Sequence, residues 1–242
     1  MGQWAKISNL VIIIFMAKIS CIISAYNEEP RIGKILEAVH RHPLISEIIV
    51  VDDGSKDNTK NIIKKFEGVR LVEHKENMGK SRAVATGIAE SKEEIIFLLD
   101  ADLINLTAKD VSDLIEPVLS QKADISVSLR KNAPWLYRKI GLDFISGERV
   151  FPKKLVQNHL EEIKKLSSYG LEVFLNRLII KNKYKIKIVF WKNVISPWKH
   201  QKGNLFEGLM GEVFMSLNIL KTISIFEVVY QIIKISSLKI KE

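Results

Sequence analysis

Residues 97–102 of this chain, Phe97-Leu98-Leu99-Asp100-Ala101-Asp102, predict an apolar strand that runs directly into two carboxylates one residue apart. Alternate residues of a strand point to the same side, so Asp100 and Asp102 can reach one divalent cation while Ala101 faces elsewhere. Carboxylate oxygens are the ligands that Mg²⁺ and Mn²⁺ prefer. A solvated turn would be the simpler interpretation of an isolated motif of this kind, but the same pattern recurs elsewhere in the chain.

Two further apolar runs end in polar, acidic loops. The run at 47–51 is followed by Asp52-Asp53-Gly54-Ser55, and the run at 19–24 is followed by Ala25-Tyr26-Asn27-Glu28-Glu29. In open α/β sheets the ligand crevice lies outside the carboxyl ends of the strands. The three strand ends therefore predict one shared crevice.

The order of the predicted elements indicates an α/β fold with a mostly parallel sheet, because strands and helices alternate along the first half. The predicted strands are 18–24, 47–51, 69–73, 94–99 and 123–129, and the predicted helices are 29–41, 57–67, 79–90 and 108–121. The second half is less regular, with helices predicted near 134–143, 152–165 and 169–182 and a strand at 185–191. Apolar residues recur at helical spacing over 203–235, which predicts one or two amphipathic helices there.

Composition limits the class of protein. The 242 residues suffice for one large α/β core, and 47% hydrophobic with 27% charged residues argue against disorder and against a polytopic membrane protein. The net charge of +9 favours anionic partners such as nucleotide phosphates, phosphorylated acceptors or anionic lipid. No zinc-finger spacing or aromatic-basic signature is present, so we expect no nucleic-acid partner. The single Cys21 is predicted to be a small buried hydrophobe, in agreement with a cytoplasmic protein.

The two ends of the chain are apolar in different ways. Residues 1–17 form an apolar amino-terminal extension, whose apolar run is shorter than the about 20 residues of a membrane span. For the amphipathic helices in 203–242, a packed core or partner surface, including a homodimer, is favoured over contact with a membrane surface. Peripheral attachment to the inner membrane face is the alternative to a free cytoplasmic location.

The strand-end loops offer groups that suit a nucleotide diphosphate. Asn27 and Glu28 supply an amide and a carboxylate for a base edge or a ribose hydroxyl. Asp52 and Asp53 can accept hydrogen bonds from a uracil or a ribose. Ser55 is a candidate for ligand contact or for capping the following helix, and both roles remain open.

A third loop offers a site for phosphate. In Asn77-Met78-Gly79-Lys80, the backbone of Gly79 and the ammonium group of Lys80 lie at the predicted start of a helix. The amino terminus of a helix binds anions through its free N–H groups and its dipole. A diphosphate can therefore be held there, although a lysine on a solvated helix start is the simpler alternative.

These motifs, in this order over residues 18–130, resemble family 2 glycosyltransferases of the GT-A fold. The resemblance implies an enzyme that uses a nucleotide diphosphate sugar, with UDP favoured over GDP because of the paired Asp52-Asp53, and Mg²⁺ or Mn²⁺ as cofactor. It implies that Asp102 holds the metal and acts in catalysis. The implied nucleotide-sugar contacts are Ala25, Tyr26, Asn27, Glu28, Asp53, Ser55, Lys80, Asp100 and Ala101.

The second half is similar to glucosyl-3-phosphoglycerate synthases and to polyprenyl-phosphate sugar transferases. The similarity lies in three segments: Ser146-Gly147-Glu148-Arg149, Tyr169-Gly170-Leu171-Glu172-Val173 and Trp198-Lys199-His200-Gln201-Lys202. The first resembles an acceptor loop, and the third implies His200 as a metal ligand beside Asp102. Arg149 and Lys199 would contact a phosphate-bearing acceptor.

The resulting domain prediction is one GT-A domain at 18–202, with a nucleotide-sugar half at 18–130 and an acceptor half at 131–202. Glu148 and Glu172 are the remaining candidates for a catalytic base or positioning group. An inverting transfer to a hydroxyl requires such a base, whereas a retaining transfer or a phosphate-oxygen nucleophile does not.

Three functions are compatible with these features. The leading hypothesis is transfer of a sugar to a small phosphorylated or carboxylated acceptor. Its rival in the same class uses a polyprenyl phosphate at the membrane surface, and an inactive nucleotide-binding module is the alternative from another class. A sugar-phosphate nucleotidyltransferase is disfavoured because no glycine-rich loop follows the first strand.

Overall fold

The computed structural model describes residues 19–167, 169–197 and 223–240. Within them the chain forms a seven-stranded sheet covered by helices on both faces, which confirms the predicted α/β class. The predicted amino-terminal extension, the two site candidates Lys199 and His200, and most of the predicted helical segment at 203–235 lie outside the described residues.

The strands follow the apolar runs of the sequence. They are β1 Ile19–Ala25, β2 Glu47–Asp52, β3 Val69–Glu73, β4 Ile95–Asp100, β5 Ile125–Arg130, β6 Arg149–Pro152 and β7 Ile186–Trp191. Their order across the sheet is β3-β2-β1-β4-β6-β5-β7, and neighbours are parallel except where β6 pairs with β4 and β5. The carboxyl ends of β1, β2, β4 and β5 consequently share one edge of the sheet.

The helices are shorter than the sequence pattern predicts, because that pattern counts turn residues at their ends. They are α1 Ile32–Val39, α2 Thr59–Ile63, α3 Lys80–Glu90, α4 Ala108–Leu119, α5 Trp135–Ile140, α6 Leu160–Ile163, α7 Gly170–Asn182 and α8 Ile225–Leu238. A capping box marks the start of α4, where Thr107 and Asp110 exchange side-chain and backbone hydrogen bonds.

Alternate residues of the central strands supply two hydrophobic clusters, one on each face of the sheet. Ile22 of β1 packs in the cluster that contains residues of α3 and α7, whereas Cys21 and Ile23 pack in the cluster that contains residues of α1 and α4. Cys21 is fully buried and unpaired, as predicted, and burial raises the pKa of its thiol.

The predicted helix at 152–165 is wrong. The structure has the end of β6 there, a 3-10 turn at Lys153–Leu155 and the four-residue α6. Val150 and Phe151 of β6 are buried in opposite clusters, so the strand contributes to both faces of the core. A strand of four residues is too short to show a period, and its antiparallel insertion interrupts the βαβ alternation on which the prediction depended.

Helix α8 is the described part of the predicted carboxyl-terminal helices. It packs against α7, towards which it buries Gln231, and Ile235 is buried in the core. Its other side exposes large apolar residues, namely Ile225, Phe226, Val229, Tyr230 and Ile233. Within the described ranges, no helix combines the length and the apolar character needed to cross a membrane.

Candidate active site

Lys80, Asp100 and Glu172 form an ion cluster at the carboxyl edge of the sheet. Lys80 begins α3, Asp100 ends β4, and Glu172 lies in the first turn of α7. The Nζ atom of Lys80 is 2.8 Å from Oδ1 of Asp100 and 3.1 Å from Oε1 of Glu172. The cluster joins two predicted donor-binding residues to a residue of the predicted acceptor half.

Both members of the Lys80–Asp100 pair remain charged. Burial by itself would lower the pKa of Lys80, but the attraction of Asp100 and Glu172 raises it above its ordinary value. Burial would likewise raise the pKa of Asp100, and Lys80 holds it below its usual range. The Lys80 side chain keeps 38% of its surface exposed, so its charge remains accessible to an anionic ligand.

Asp102 lies in acidic surroundings beside this cluster. Burial, followed by repulsion from Asp100 and Glu148, raises the pKa of Asp102 to about 6. Its Oδ2 atom is 3.5 Å from the Ser196 hydroxyl, whereas Oδ1 is buried and accepts no hydrogen bond from the described residues. A buried carboxylate oxygen without a partner is costly, and a bound cation would satisfy it.

The donor chemistry at Asp102 suits Mg²⁺ or Mn²⁺, but the described residues supply only part of a coordination shell. No group of three or more His, Cys, Asp or Glu side chains able to hold a metal occurs among them. Asp100, which the motif predicts as a second ligand, is ion-paired with Lys80. Of the two metal ligands that the resemblance implies, Asp102 is therefore at the edge of the sheet and His200 lies outside the described residues.

The loop before β6 closes tightly over the cluster at Gly147. A Cβ atom placed on Gly147 would lie 2.7 Å from both Oδ2 of Asp100 and Nζ of Lys80. Those separations are too short for any side chain, so the glycine lets the backbone approach the ion pair directly. The segment that resembles an acceptor loop thus contacts the predicted donor site.

Glu148 is fully buried and engaged by its neighbours. Its Oε2 atom accepts hydrogen bonds from the hydroxyls of Ser128 at 2.7 Å and Ser146 at 2.8 Å. Its Oε1 atom is 3.2 Å from Nη1 of Arg130. This carboxylate, predicted as a catalytic candidate, therefore anchors Arg130 at the end of β5.

Arg130 is a site residue that the sequence interpretation missed. Its guanidinium is 3.3 Å from Asp143 as well as bonded to Glu148, and its Nε atom is buried without a partner among the described residues. Burial opposes the charge, but Glu148 and Asp143 raise the pKa of Arg130. The available signal was its position, because it follows an apolar strand in the same way as Asp52 and Asp100.

The predicted acceptor contact of Arg149 does not agree with the structure. The side chain is 1% exposed and its donors bind the carbonyl oxygens of Phe144 and Ser146 and the side chain of Asn176. Because Arg149 belongs to the inserted strand β6, its side chain enters the core and does not face the crevice.

The first and second loops are joined by hydrogen bonds between predicted donor-site residues. The Asn27 backbone, with φ of 55°, donates to Oγ of Ser55 at 2.9 Å, and the carbonyl of Ala25 accepts from Asp53 N at 2.8 Å. Tyr26 is 40% exposed beside them. The loops therefore present one continuous surface at the end of β1 and β2.

Glu28 and Ala101 also lie at this edge. The carboxylate of Glu28 is 2.7 Å from Nη2 of Arg31. Burial raises the pKa of Glu28 despite the opposing effect of Arg31, and Asp100 is near enough to contribute to the increase. Ala101 is 4% exposed, so its side chain packs into the core between the two acidic residues.

Of the two acidic residues at the second loop, Asp53 is the one whose carboxylate oxygens are both hydrogen-bonded. Both oxygens of Asp53 are occupied, because Oδ1 accepts from Met78 N and the His74 ring and Oδ2 accepts from Gly79 N at 2.8 Å. Asp53 thus holds the turn at Gly79, where φ is 91°, and is not free for a nucleoside. The neighbouring Asp52 has a buried Oδ1 atom with no partner among the described residues.

An open, mostly parallel sheet whose carboxyl edge carries an accessible lysine and carboxylates with unpaired oxygens is typical of nucleotide-using α/β enzymes. The chain belongs to glycosyl transferase family 2, whose family model matches residues 20–170, and it is a glycosyltransferase.

Two relatives match most of this chain, and the one with a named activity acts on dolichyl phosphate. The chain is 31% identical to the uncharacterised protein MJ1222 of Methanocaldococcus jannaschii, with 81% of this chain and 93% of that protein covered. It is 29% identical to a UDP-N-acetylglucosamine–dolichyl-phosphate N-acetylglucosaminyltransferase of Methanococcus voltae, with 83% and 94% covered.

Among solved structures, glucosyl-3-phosphoglycerate synthase of Mycobacterium tuberculosis, in complex with Mn²⁺, UDP and glucosyl-3-phosphoglycerate, has a TM-score of 0.64. The match covers 89% of this chain and 83% of that one at 23% identity, which supports the predicted GT-A fold.

Proposed function

We propose that this glycosyltransferase moves a sugar from a uridine diphosphate sugar to a polyprenyl phosphate, with a divalent cation held at Asp102. The observation that carries the proposal is the buried, partnerless Oδ1 atom of Asp102 beside the Lys80–Asp100–Glu172 cluster. A possible cation site at Asp102 thus lies beside the accessible ammonium group of Lys80. Both are needed to bind the negative charges of a sugar diphosphate.

The donor would lie across the ends of β1, β2 and β4. Asn27 and Glu28, which are exposed and half-buried at the end of β1, would contact the base and ribose, and Lys80 would bind a phosphate oxygen from the start of α3. UDP is favoured over GDP because the named relative from M. voltae uses a UDP-sugar.

Asp102 would hold the cation, with His200 as the second ligand that the resemblance implies. When bound, Mg²⁺ or Mn²⁺ neutralises the negative charge that develops on the leaving diphosphate. Asp100 and Glu172 orient the Lys80 ammonium group at the same edge, where it can donate a hydrogen bond to the diphosphate.

The apolar surface beside the site favours a lipid acceptor. A cavity of about 420 Å³ lies at the carboxyl ends of β5 and β7 and combines apolar walls with two cations. Its lining residues are Leu129, Trp135, Arg138, Lys139 and Phe190. Trp135 is 65% exposed and Phe190 48%, and such pairing of apolar and cationic groups suits a lipid phosphate.

The pairing of the carboxylates also agrees with a phosphate nucleophile. Glu148 is bound by Arg130 and Glu172 by Lys80, and both carboxylates are buried, so neither is an accessible base at the crevice. A hydroxyl acceptor of an inverting enzyme must lose a proton to a base, whereas a phosphate oxygen is already ionised at neutral pH. Both glutamates are better suited to positioning cations than to removing a proton.

A small phosphorylated carboxylate is the second candidate acceptor. It is favoured by the solved synthase complexes, which include phosphoglyceric acid, and by Arg130, a cation at the end of β5 whose side chain is 14% exposed. Arg130 would take the role that the sequence assigned to Arg149.

The test is a transfer assay with purified chain, Mn²⁺ and labelled UDP-glucose or UDP-N-acetylglucosamine. The acceptors are undecaprenyl or dolichyl phosphate in detergent and, separately, 3-phosphoglycerate. Label in the extracted lipid supports the proposal, and label in an aqueous acid product supports the second candidate. A folded chain that binds UDP but transfers to neither contradicts both and favours an inactive nucleotide-binding module.

A matched pair of variants tests the assignment of Asp102 in the same assay. Asp102→Asn removes the charge that would hold the cation, and we expect transfer to fall at least about a hundredfold. Asp113→Asn is the control, because Asp113 is half exposed on α4 and pairs with Lys109. Equal activity of the two variants would contradict the role of Asp102.

A further inference from the structure

Arg149 is a buried cation whose hydrogen bonds go to neutral groups. Its Nε atom donates to the Ser146 carbonyl at 2.7 Å, Nη2 donates to the Phe144 carbonyl at 2.9 Å, and Nη1 donates to Oδ1 of Asn176 at 2.7 Å. Burying a charge in this way is unfavourable for stability compared with an apolar side chain. The structural role of Arg149 is therefore indicated by the backbone and side-chain groups that its guanidinium binds.

Arg149 holds the loop that approaches the ion cluster. Two of its three acceptors are backbone carbonyls of that loop, at Phe144 and Ser146. The next residue, Gly147, contacts the Lys80–Asp100 pair, and Glu148 binds Arg130. The guanidinium thus holds the loop at Phe144 and Ser146, immediately before the two residues that approach the Lys80–Asp100 pair and Arg130.

Helix α7 anchors the other side of the guanidinium. Asn176 accepts from Arg149 and donates from Nδ2 to the Phe144 carbonyl at 2.7 Å. It lies four residues after Glu172, so both side chains share one face of α7. One helix face therefore positions Lys80 through Glu172 and the loop through Asn176.

The network continues into α8. Nδ2 of Asn176 also donates to Oε1 of Gln231 at 3.1 Å, and Gln231 is fully buried. Nε2 of Gln231 donates to Oε1 of Glu227 at 2.8 Å. The packing of α8 is thereby connected to the loop through side chains that would otherwise be costly to bury.

We propose that Arg149 is a positioning residue, which with Asn176 and Gln231 holds the 144–148 loop so that Gly147 lies against the Lys80–Asp100 pair. The loop then sets where the acceptor meets the donor sugar. Loss of the guanidinium should impair the use of acceptor and leave the binding of nucleotide unchanged. The inference rests on the proposed function only for its activity measurement.

The test compares the wild type with Arg149→Met, Arg149→Lys and Gln231→Met. Hydrogen exchange measured by mass spectrometry over peptides that cover 144–148 is expected to be at least tenfold faster in Arg149→Met, with exchange in β1 and β2 unchanged. Arg149→Lys should restore part of the protection, and Gln231→Met should cause a smaller acceleration. Arg70→Met, at a half-exposed arginine of β3 that pairs with Glu90, is the control.

The kinetic arm measures UDP affinity, acceptor KM and kcat. We expect the UDP dissociation constant of Arg149→Met within twofold of wild type and kcat/KM for acceptor at least tenfold lower. Unchanged loop exchange, or a uniform increase throughout the sheet, would overturn the proposal. If Arg149→Met fails to fold, the same measurements of loop exchange, UDP affinity and kcat/KM on Gln231→Met and Arg149→Lys test the proposal. If the wild-type protein transfers no sugar, the proposed function is refuted. The hydrogen-exchange measurement would still test whether Arg149 holds the loop.

Discussion

At the scale of single residues, the described part of the chain buries three carboxylate oxygens without partners. They belong to Asp52, Asp102 and Glu172, and all three residues lie at or beside the carboxyl edge of the sheet. A buried polar atom left unsatisfied costs about 1–3 kcal/mol. A ligand that supplies hydrogen-bond donors or positive charge here would relieve that cost, which explains why this edge is suited to binding.

The different surroundings of Glu28 and Asp53 give a residue-scale prediction. Glu28→Gln should weaken UDP binding about tenfold, the usual size of one hydrogen bond to a charged group, with little change in the melting temperature. Asp53→Asn should destabilise the fold by roughly 1–3 kcal/mol, because its carboxylate holds Met78 and Gly79. Calorimetric titration and thermal unfolding measure the two effects. Loss of UDP binding in a fully stable Asp53→Asn would contradict the assignment.

A second residue-scale prediction concerns Gly147. In Gly147→Ala the added methyl group would displace the Lys80–Asp100 pair, since it would lie 2.7 Å from each charged group. We expect transfer to fall at least about tenfold while the melting temperature changes by only a few degrees. Gly68→Ala is not a suitable control, because φ is +78° at Gly68 and alanine would strain the backbone there. The control is Ala133→Gly, which changes one methyl group at a buried loop position after β5. Full activity in Gly147→Ala would show that the contact is not required.

At the scale of elements, the site is assembled from strand ends and helix starts. Asp52 and Asp100 end strands, Lys80 begins α3 and Glu172 lies in the first turn of α7. Parallel strands bring their carboxyl ends together, and each following helix begins at the same edge. The site therefore follows from topology, and each helix amino terminus adds a partial positive charge.

The packing of α1 against α4 gives a prediction about pH. His42, just after α1, is 6% exposed, and its Nε2 atom lies 3.1 Å from the carbonyl oxygen of Ala108 at the start of α4. Burial lowers the pKa of His42, so the unfolded chain takes up a proton that the folded chain does not as pH falls below about 6.5. Its contribution to stability is present above that pH and is lost below it.

Denaturant unfolding at pH 7.5 and pH 5.5 measures this effect. We expect the free energy of unfolding to fall with pH more steeply in the wild type than in His42→Gln, which lacks the titrating group. His40→Gln, two residues earlier at the end of α1, is the control. An identical pH dependence of the wild type and His42→Gln would contradict the prediction.

Elements with a clear pattern in their own residues could be predicted from the sequence, whereas elements that depend on distant partners could not. Strands β1, β2 and β4 were predictable because β-branched apolar runs end in acidic loops. Strand β6 was not, because four residues show no period and its partners β4 and β5 are distant in sequence. The same strand explains why Arg149 turned inward.

The individual roles at the site were harder to predict than its location. The choice between Asp52 and Asp53 depends on which of them accepts from Gly79 N, a contact 26 residues away along the chain. The role of Arg130 depends on its ion pair with Glu148, which lies 18 residues further along the chain, just before β6. These are tertiary contacts, and no local pattern encodes them.

At the scale of the whole molecule, the apolar surfaces bear on the nature of the acceptor. The cavity between α5 and the ends of β5 and β7, together with the exposed side of α8, presents aromatic and aliphatic side chains with interspersed lysines. A charge of +9 over the chain adds a long-range attraction for anionic surfaces. We propose peripheral contact with a membrane as the setting in which a lipid phosphate reaches the site.

Trp135 provides the prediction at this scale. Trp135→Ala removes an apolar wall of the cavity and the aromatic partner of Lys139, so we expect the KM for polyprenyl phosphate to rise about tenfold. Affinity for UDP should remain unchanged. Leu136→Ala is the matched control, since Leu136 is half exposed on the same helix but does not line the cavity. Equal KM values for the two variants would argue that the lipid does not use this cavity.

The most direct test of the central claim, a uridine nucleotide and a divalent cation bound together at the carboxyl edge, is calorimetric titration with UDP. The wild type and Asp102→Asn are each titrated in Mn²⁺ and in chelator. We predict tight binding by the wild type in Mn²⁺ only, and weak binding by Asp102→Asn under both conditions. Equal UDP affinity with and without the cation, or unimpaired cation-dependent binding by Asp102→Asn, would contradict the account.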